Sequence, residues 1–152
     1  MGILSGKRGI IFGALDENSI AWKVAQEAKK EGAIFTLSNA PVALRLGTIN
    51  ELATLCQSVV IPADATNTDD LDKLFDQSIA ELGGKIDFIL HSIGMSPNVR
   101  KEKPYTNLNY DFYLKSLDIS ALSLHKILQV AYQKDAINEY GSVVALSYIA
   151  AQ

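Results

Sequence analysis

The sequence predicts an α/β fold built on a doubly wound parallel sheet, with helices on both faces. Five short apolar runs alternate with helical patterns along the 152 residues. Hydrophobic residues make up 48% of the chain and charged residues 20%, which provides enough apolar surface for one substantial core. Strands that alternate with helices are joined by right-handed crossovers, and these build parallel sheets that are buried on both faces.

The first strand and the first helix are both closed by glycine. Residues 9–13 (GIIFG) form a short apolar run, which is typical of a buried strand. Residues 19–31 follow as a helix whose apolar face begins with Ile20 and Ala21. Gly32 supplies the C-terminal stop of this helix.

The rest of the chain continues the alternation. Residues 33–38 and 59–63 are predicted strands, and the apolar residues between them predict a helix that is interrupted near Gly47. Asn67 or Thr68 can cap the next helix, which ends at a pair of glycines. The remaining predicted elements are a strand at 86–92, a helix at 109–133 and a strand at 142–149.

The long helix carries apolar residues on more than one side. Leu114, Leu117 and Ala121 begin one stripe at spacings of three and four, and Ile119 and Leu122 begin a second stripe. One interpretation is burial under a further part of the same domain, and another is a subunit interface. The pattern favours a mixture of both, and therefore an oligomer.

Composition excludes several classes of protein. The lone Cys56 cannot form a disulfide framework, so a reducing, cytoplasmic compartment is expected. A net charge of -3 with only 14 Lys and Arg residues argues against a general nucleic-acid binder. No apolar stretch approaches the ~18 residues of a membrane span, and the first residues lack a signal-peptide pattern. No Cys or His spacing suggests a metal site.

Doubly wound sheets bind ligands at the carboxyl ends of their strands, near the point where the strand order reverses. After the first strand, Gly13 allows a phosphate to approach the backbone, and Ser19 can cap a helix whose amides attract an anion. The second and third glycines of the dinucleotide fingerprint are absent. An ordinary strand–turn–helix is therefore an equal alternative.

The ends of the second and third strands bear on the choice of nucleotide. No acidic ribose ligand stands near Ala40, and the nearest basic residue is Arg45. This pattern favours NAD over NADP, with NADPH as the alternative. Asp64 can accept a hydrogen bond from an adenine amino group, or it can turn the chain toward the Asn67 cap.

Residues after the last two strands could meet a substrate. Gly94 permits backbone contact with a ribose, while His91 and His125 are interpreted as core or hydrogen-bonded histidines rather than bases. The loop at 95–107 contains three basic residues and can cover substrate, form solvated surface or dock an acidic carrier protein. Tyr148 can donate a proton to a developing enolate, or it can be an aromatic packing residue.

Six short motifs occur in one order along the chain: Gly6-Lys7-Arg8, G-x5-S-I-A from Gly13, Ala63-Asp64, His91-Ser92-Ile93-Gly94, Asp118-Ile119-Ser120 and Leu146-Ser147-Tyr148. In this order the chain resembles the N-terminal part of FabI-type enoyl-[acyl-carrier-protein] reductases. That family is a divergent, Rossmann-like branch of the short-chain dehydrogenases/reductases. The SNAP stretch at residues 38–41 departs from the best-known bacterial members, which affects the adenosine-ribose contact.

The resemblance implies hydride transfer from NADH to the β-carbon of a trans-2-enoyl thioester on acyl carrier protein, followed by protonation of the enolate. It also implies a homotetramer. The implied cofactor-binding residues are Gly13, Ser19 and Ile20 at the pyrophosphate, Ala40 near the adenosine ribose, Asp64 and Ala65 at the adenine, and Ser92, Ile93 and Gly94 at the ribose. Met95 and Ser96 would border the acyl group, and Tyr148 matches the first of two family tyrosines.

By the same resemblance, a second tyrosine and a lysine follow roughly ten and seventeen residues after Tyr148, which places them beyond Gln152. We therefore expect residues 1–152 to be the N-terminal part of one larger reductase domain, with its C-terminal strands missing, and to be inactive alone. Two alternatives stay open: a short-chain reductase of 3-oxoacyl or ketone substrates, and a non-catalytic nucleotide-binding module.

Overall fold

Five parallel strands form the sheet at the centre of the fold in the computed structural model, which describes residues 2–147. The strands are β1 (Arg8–Phe12), β2 (Ile34–Ser38), β3 (Val59–Val60), β4 (Ile86–His91) and β5 (Ile137–Ala145). Their order in the sheet is β3-β2-β1-β4-β5, so the chain extends the sheet in both directions from β1. The prediction of a doubly wound α/β fold is confirmed.

Seven α-helices cover the sheet within the described residues. They are α1 (Ile20–Lys30), α2 (Pro41–Leu44), α3 (Ile49–Cys56), α4 (Thr68–Leu82), α5 (Pro97–Arg100), α6 (Tyr110–Leu117) and α7 (Ser123–Gln133). A 3-10 turn at Tyr105–Asn107 precedes α6, and a π-helical turn at Asp118–Leu122 joins α6 to α7. No helix within residues 2–147 combines the length and the apolar character needed to cross a bilayer.

Alternate residues of β1 enter opposite apolar layers. Ile10 and Phe12 pack with α4 and α7, where Leu74 and Ile127 are fully buried. Ile11 packs on the other face, among residues of α1 and α3. Because β1 is covered on both sides, its sequence is a continuous apolar run rather than an alternating one.

The arrangement of β1 between β2 and β4 brings three strand ends together. Phe12 is in register with Ser38 on one side and with His91 on the other. The segments that follow these residues therefore leave the sheet side by side, at the reversal of strand order. This is the edge at which the sequence predicted a ligand site.

Two predicted strands have different bounds in the structure. The regular strand β3 ends at Val60 instead of continuing to residue 63, although Ile61 N–H and Ala63 N–H still donate to the carbonyls of Leu37 and Asn39 at 2.9 and 3.1 Å. β5 begins at Ile137 rather than at residue 142 and ends at Ala145. A bulge explains the early start, since Ile86 pairs with Ile137 and the next aligned pair is Phe88 with Ser142.

The predicted helices are largely confirmed. The interrupted helix between β2 and β3 is present as α2 and α3, and the long helix at 109–133 is present as α6, the π-helical turn and α7. Asn67 caps α4 with its side-chain oxygen, which accepts hydrogen bonds from Asp69 N–H at 2.9 Å and Asp70 N–H at 3.2 Å.

Two assignments of buried residues were wrong. Ile20 is 61% exposed, because α1 buries a face centred on Ala21 and Ala25 and leaves its first residue on the opposite flank. His125 is also exposed, since the buried face of α7 is formed by residues such as Ile127 and Val130.

Candidate functional site

A cleft of about 400 Å³ lies at the carboxyl ends of the strands. Its walls come from the turns that follow β1, β2 and β4, from the segment after β3, and from α6 and the π-helical turn. Eight of the sequence-predicted site residues line it: Gly13, Ala40, Asp64, Ala65, Ser92, Ile93, Gly94 and Met95. Open α/β sheets bind ligands in such clefts.

Gly13 forms the floor of the cleft between two neighbouring strands. Its N–H donates to the carbonyl oxygen of Ser38 at 3.0 Å. Its φ is +93°, and a Cβ at this position would lie 1.8 Å from the carbonyl oxygen of Ser92. Only glycine fits this geometry, and Gly13 lines the cleft with its backbone.

Ser19 occupies the N-cap position of α1 but does not cap the helix with its side chain. Instead, its hydroxyl donates to the carbonyl of Asp16 at 2.6 Å and accepts from Leu15 N–H at 3.2 Å. The expectation that Ser19 caps α1 was therefore wrong, because the hydroxyl closes the preceding turn. Neither Ser19 nor Ile20 lines the cleft.

Asn39 fixes the turn after β2 against the turn after β1. Its side-chain amide donates to the carbonyl of Ala14 at 2.9 Å, and its side-chain oxygen accepts from Ala40 N–H at 2.8 Å. No role for Asn39 was expected from the sequence. An Asn directly after a strand is a signal for this function, because its side chain can replace missing backbone partners.

Asp64 takes the turn role that the sequence predicted, while its contact with an adenine amino group stays a prediction. One carboxylate oxygen, Oδ1, accepts from the N–H and the hydroxyl of Thr66 at 2.9 and 2.7 Å, and the Asp64 carbonyl accepts from Asn67 N–H at 2.9 Å. Asp64 therefore turns the chain into the α4 cap. The same residue lines the cleft, where its second oxygen, Oδ2, can accept a hydrogen bond from a ligand.

His91 is a buried, hydrogen-bonded histidine, as predicted. Its Nε2 lies 2.8 Å from the hydroxyl oxygen of Ser123. Because the Ser123 hydroxyl donates to the carbonyl of Ile119 at 2.6 Å, its oxygen is left to accept from a neutral His91. Burial lowers the pKa of His91, while hydrogen bonding to its own backbone opposes that shift.

The segment after β4 is tied to the π-helical turn. The hydroxyl of Ser120 accepts from Met95 N–H at 3.0 Å and donates to the Met95 carbonyl at 3.3 Å. A Cβ on the neighbouring Gly94 would meet no atom within 4 Å, so this part of the cleft has open space. Ser96 lies outside the cleft lining and caps α5, accepting from Val99 N–H at 3.4 Å.

Several residues that line the cleft had no assigned site role, among them Lys115, Asp118 and Ile119; Arg100 of the basic loop lines it as well. Three of them have helical spacing, because positions 115, 118 and 119 share one face of the long helix. Tyr148 lies outside the described residues. Within residues 2–147, no group of three His, Cys, Asp or Glu side chains is placed to hold a metal ion.

The parallel sheet, the reversal of strand order at β1 and the glycine turn beside the cleft define the class: a Rossmann-like α/β domain. A family model described as "Enoyl-(Acyl carrier protein) reductase" matches residues 13–152. The chain belongs to this family.

Individual relatives agree with the family match. The chain is 33% identical over 99% of its length to the enoyl-[acyl-carrier-protein] reductase [NADH] FabI of Rickettsia bellii, and covers 56% of that protein. It is 32% identical to the Salmonella typhimurium enzyme of the same name, with 100% of this chain and 57% of that protein covered. The chain thus spans about half the length of these relatives.

Solved structures show the same fold. The FabI–NADH complex from Alistipes finegoldii superposes with a TM-score of 0.95 and 60% identity, covering 98% of this chain and 53% of that one. The enoyl-[acyl-carrier-protein] reductase (NADH) from Aquifex aeolicus superposes with a TM-score of 0.84 and 28% identity, covering 99% and 59% of the two chains.

Proposed function

We propose that the protein carrying this sequence uses NADH to reduce trans-2-enoyl thioesters held on acyl carrier protein, in fatty acid elongation. The cleft floored by Gly13 carries this proposal, because it exposes backbone at the sheet edge where dinucleotides bind. Family membership and the likeness to a FabI–NADH complex at 60% identity support it.

In this proposal, different walls of the cleft hold different parts of the cofactor. The backbone around Gly13 receives the pyrophosphate, and the start of α1, with Ser19 and Ile20 just outside the cleft lining, favours it through the helix dipole. Asp64 accepts from the adenine amino group through its free oxygen, beside Ala65. Ala40 lies near the adenosine ribose, and Ser92, Ile93 and Gly94 flank the second ribose.

The absence of a basic residue in the SNAP stretch at 38–41 favours NADH over NADPH. A 2′-phosphate on the adenosine ribose needs an Arg or Lys partner at this strand end. Arg45 follows α2 and lies outside the cleft lining. NADH is therefore the proposed cofactor.

The bound nicotinamide would supply a hydride for the β-carbon of the enoyl thioester. The electron pair of the carbon–carbon double bond then moves toward the thioester carbonyl, and the resulting enolate is protonated at the α-carbon. In this proposal, Met95 and the neighbouring Ser96 border the acyl group, and Tyr148, which matches the first of the two family tyrosines, acts on the thioester oxygen. A tyrosine hydroxyl there stabilises the developing negative charge.

The proposal extends to the partner, the assembly and the compartment. The exposed basic residues Arg100, Lys101 and Lys103 supply positive charge for docking an acidic carrier protein. The exposed apolar face of the long helix supports a homotetramer. The single, buried Cys56 fits a reducing cytoplasm.

Substrate reduction by the full-length protein tests this function. With crotonyl thioester on acyl carrier protein, we expect the absorbance of NADH to fall as the saturated thioester forms. Failure with enoyl thioesters of every chain length would contradict the proposal. Oxidation of NADH only with 3-oxoacyl thioesters would support a ketone reductase, and binding of NADH without turnover would support a nucleotide-binding module.

A further inference from the structure

Lys126 lies on α7 and joins two walls of the cleft. Its ammonium group donates to the carbonyl oxygen of Thr66 at 2.9 Å and to the carboxylate of Asp118 at 2.6 Å. Thr66 belongs to the segment after β3 and Asp118 begins the π-helical turn, and both residues line the cleft. Lys126 itself stands behind this lining, with 26% of its side chain exposed.

Through its contact with Thr66, Lys126 affects the position of Asp64, which lines the cleft. The N–H and the hydroxyl of Thr66 both donate to Oδ1 of Asp64, which fixes the orientation of that carboxylate. Lys126 holds the carbonyl of the same threonine. Loss of Lys126 would therefore remove one of the contacts that hold the turn containing Asp64 at the cleft.

The contact with Asp118 neutralises a carboxylate that lines the cleft. Asp64 and Asp118 place two carboxylates in one cleft, while Arg100 and Lys115 line it from α5 and α6. Unpaired carboxylates would repel an anionic ligand, and this repulsion is weakly screened in a partly enclosed site. Lys126 neutralises Asp118 from behind, without occupying the space of the ligand.

We infer that Lys126 is a positioning residue for the adenosine half of the dinucleotide. It orients Asp64 through Thr66, and it cancels the charge of Asp118. The inference rests on the proposed function, since it needs a dinucleotide in the cleft. It adds to that function a residue that lies outside the cleft and acts only through its neighbours.

The test compares Lys126→Met with a matched control in the full-length protein. Lys134 follows α7 and pairs with Asp72 and Asp76 of α4, both at 2.8 Å and away from the cleft, so Lys134→Met removes the same charge elsewhere. For Lys126→Met, we expect the dissociation constants of NADH and of ADP to rise about tenfold, because two charge-assisted hydrogen bonds are lost. Binding of nicotinamide mononucleotide is expected to weaken less, because this ligand lacks the adenine that Asp64 would hold.

Steady-state kinetics of Lys126→Met and the recovery of binding in Lys126→Arg distinguish a positioning role from a general loss of structure. In Lys126→Met, we expect the KM for NADH to rise while kcat and the KM for the enoyl thioester stay at wild-type values. Lys126→Arg keeps both contacts and is expected to restore binding. If Lys126→Met does not fold, Lys126→Gln takes its place, with the same expected direction.

Two results would overturn the inference. One is an NADH affinity in Lys126→Met equal to that of Lys134→Met, and the other is an equal loss for ADP and nicotinamide mononucleotide. Wild-type protein that binds no NADH would instead contradict the proposed function. The failures of the two proposals are therefore distinguishable.

Discussion

Gly13 lies where the ends of β1, β2 and β4 meet. Its N–H is bonded to Ser38, and the carbonyl of Ser92 fills the position that a side chain would need. The single hydrogen of glycine thus allows two neighbouring strand ends to close around the turn. This close approach shapes the floor of the cleft.

Replacement of Gly13 tests this role. We expect Gly13→Ala to lower the free energy of unfolding by about 2–4 kcal/mol and to abolish NADH binding, because a positive φ and a clash act together. Gly83→Ala is the control, since Gly83 has a φ of +70° with no atom within 4 Å of a Cβ. It should cost about 1 kcal/mol and leave NADH binding intact. Equal losses in the two variants would contradict the account.

His91 gives a pH dependence with a defined sign. Because burial lowers its pKa in the folded state, the unfolded chain binds a proton at pH values where the folded chain does not. Stability contributed by neutral His91 is therefore lost as the pH falls below the ordinary histidine pKa of about 6.5.

Thermal unfolding between about pH 7 and about pH 5 measures this effect. We expect His91→Gln to reduce the loss of stability on acidification. The chain has 2 histidines, and the exposed His125 on α7 provides the control variant His125→Gln. A wild-type pH slope in His91→Gln would show that this histidine does not carry the effect.

At the scale of elements, the π-helical turn connects the long helix to the cleft. It places Ser120 against Met95 and Asp118 against Lys126, and a π-turn is a frequent feature of functional sites. The extra residue in this turn redirects side chains that a regular helix would present elsewhere. The turn therefore supports the segment after β4.

Ser120→Ala tests that support. We expect the KM for the enoyl thioester to rise severalfold with a loss of about 1 kcal/mol in stability, because Met95 loses both of its bonds to the hydroxyl. Ser116→Ala is the matched control, since the Ser116 hydroxyl donates to the carbonyl of Phe112, within α6, at 2.8 Å. A KM change of equal size in both variants would contradict a specific role for Ser120.

The sequence predicted elements wherever local pattern determines them. The apolar runs of β1 and β4 and the Asn67 cap are local signals, and all three are confirmed. The polar start of β5 could not be found, because Asn138 and Glu139 lie in a bulge that depends on pairing with β4. The π-helical turn was also missed, since the apolar stripes continue through it.

In the candidate site too, the sequence could predict the residues that local pattern determines and missed the others. Gly13 and Asp64 could be placed because each follows an identifiable strand. The prediction that Ser19 caps α1 was wrong, because the residue type at an N-cap position does not determine which backbone group its hydroxyl bonds. The contacts of Asn39 and Lys126 join segments far apart in the chain, so only the folded structure reveals them.

At the scale of the whole molecule, apolar side chains remain exposed on the long helix and on β5. They include Tyr110, Tyr113, Leu114, Leu117 and Leu122 on the long helix, and Val143 and Val144 on β5. Burial of such a surface provides roughly 25 cal/mol per Å². We propose that subunit association buries the exposed apolar residues of the long helix.

Leu114→Lys tests that association. Leu114 is 63% exposed on α6, and Leu55 is 64% exposed on α3, which packs on the opposite side of the sheet. We expect light scattering to give a tetramer for the wild-type full-length protein and for Leu55→Lys, but a smaller species for Leu114→Lys. A tetramer of unchanged stability in Leu114→Lys would contradict an interface at this position.

The most direct test of the central claim is a crystal structure of the full-length protein with NADH. The account predicts the pyrophosphate beside the backbone of Gly13 and the adenine amino group within hydrogen-bonding distance of Asp64. It also predicts a ribose next to Gly94. NADH bound away from this cleft, or a cleft that stays empty at saturating NADH, would contradict the account.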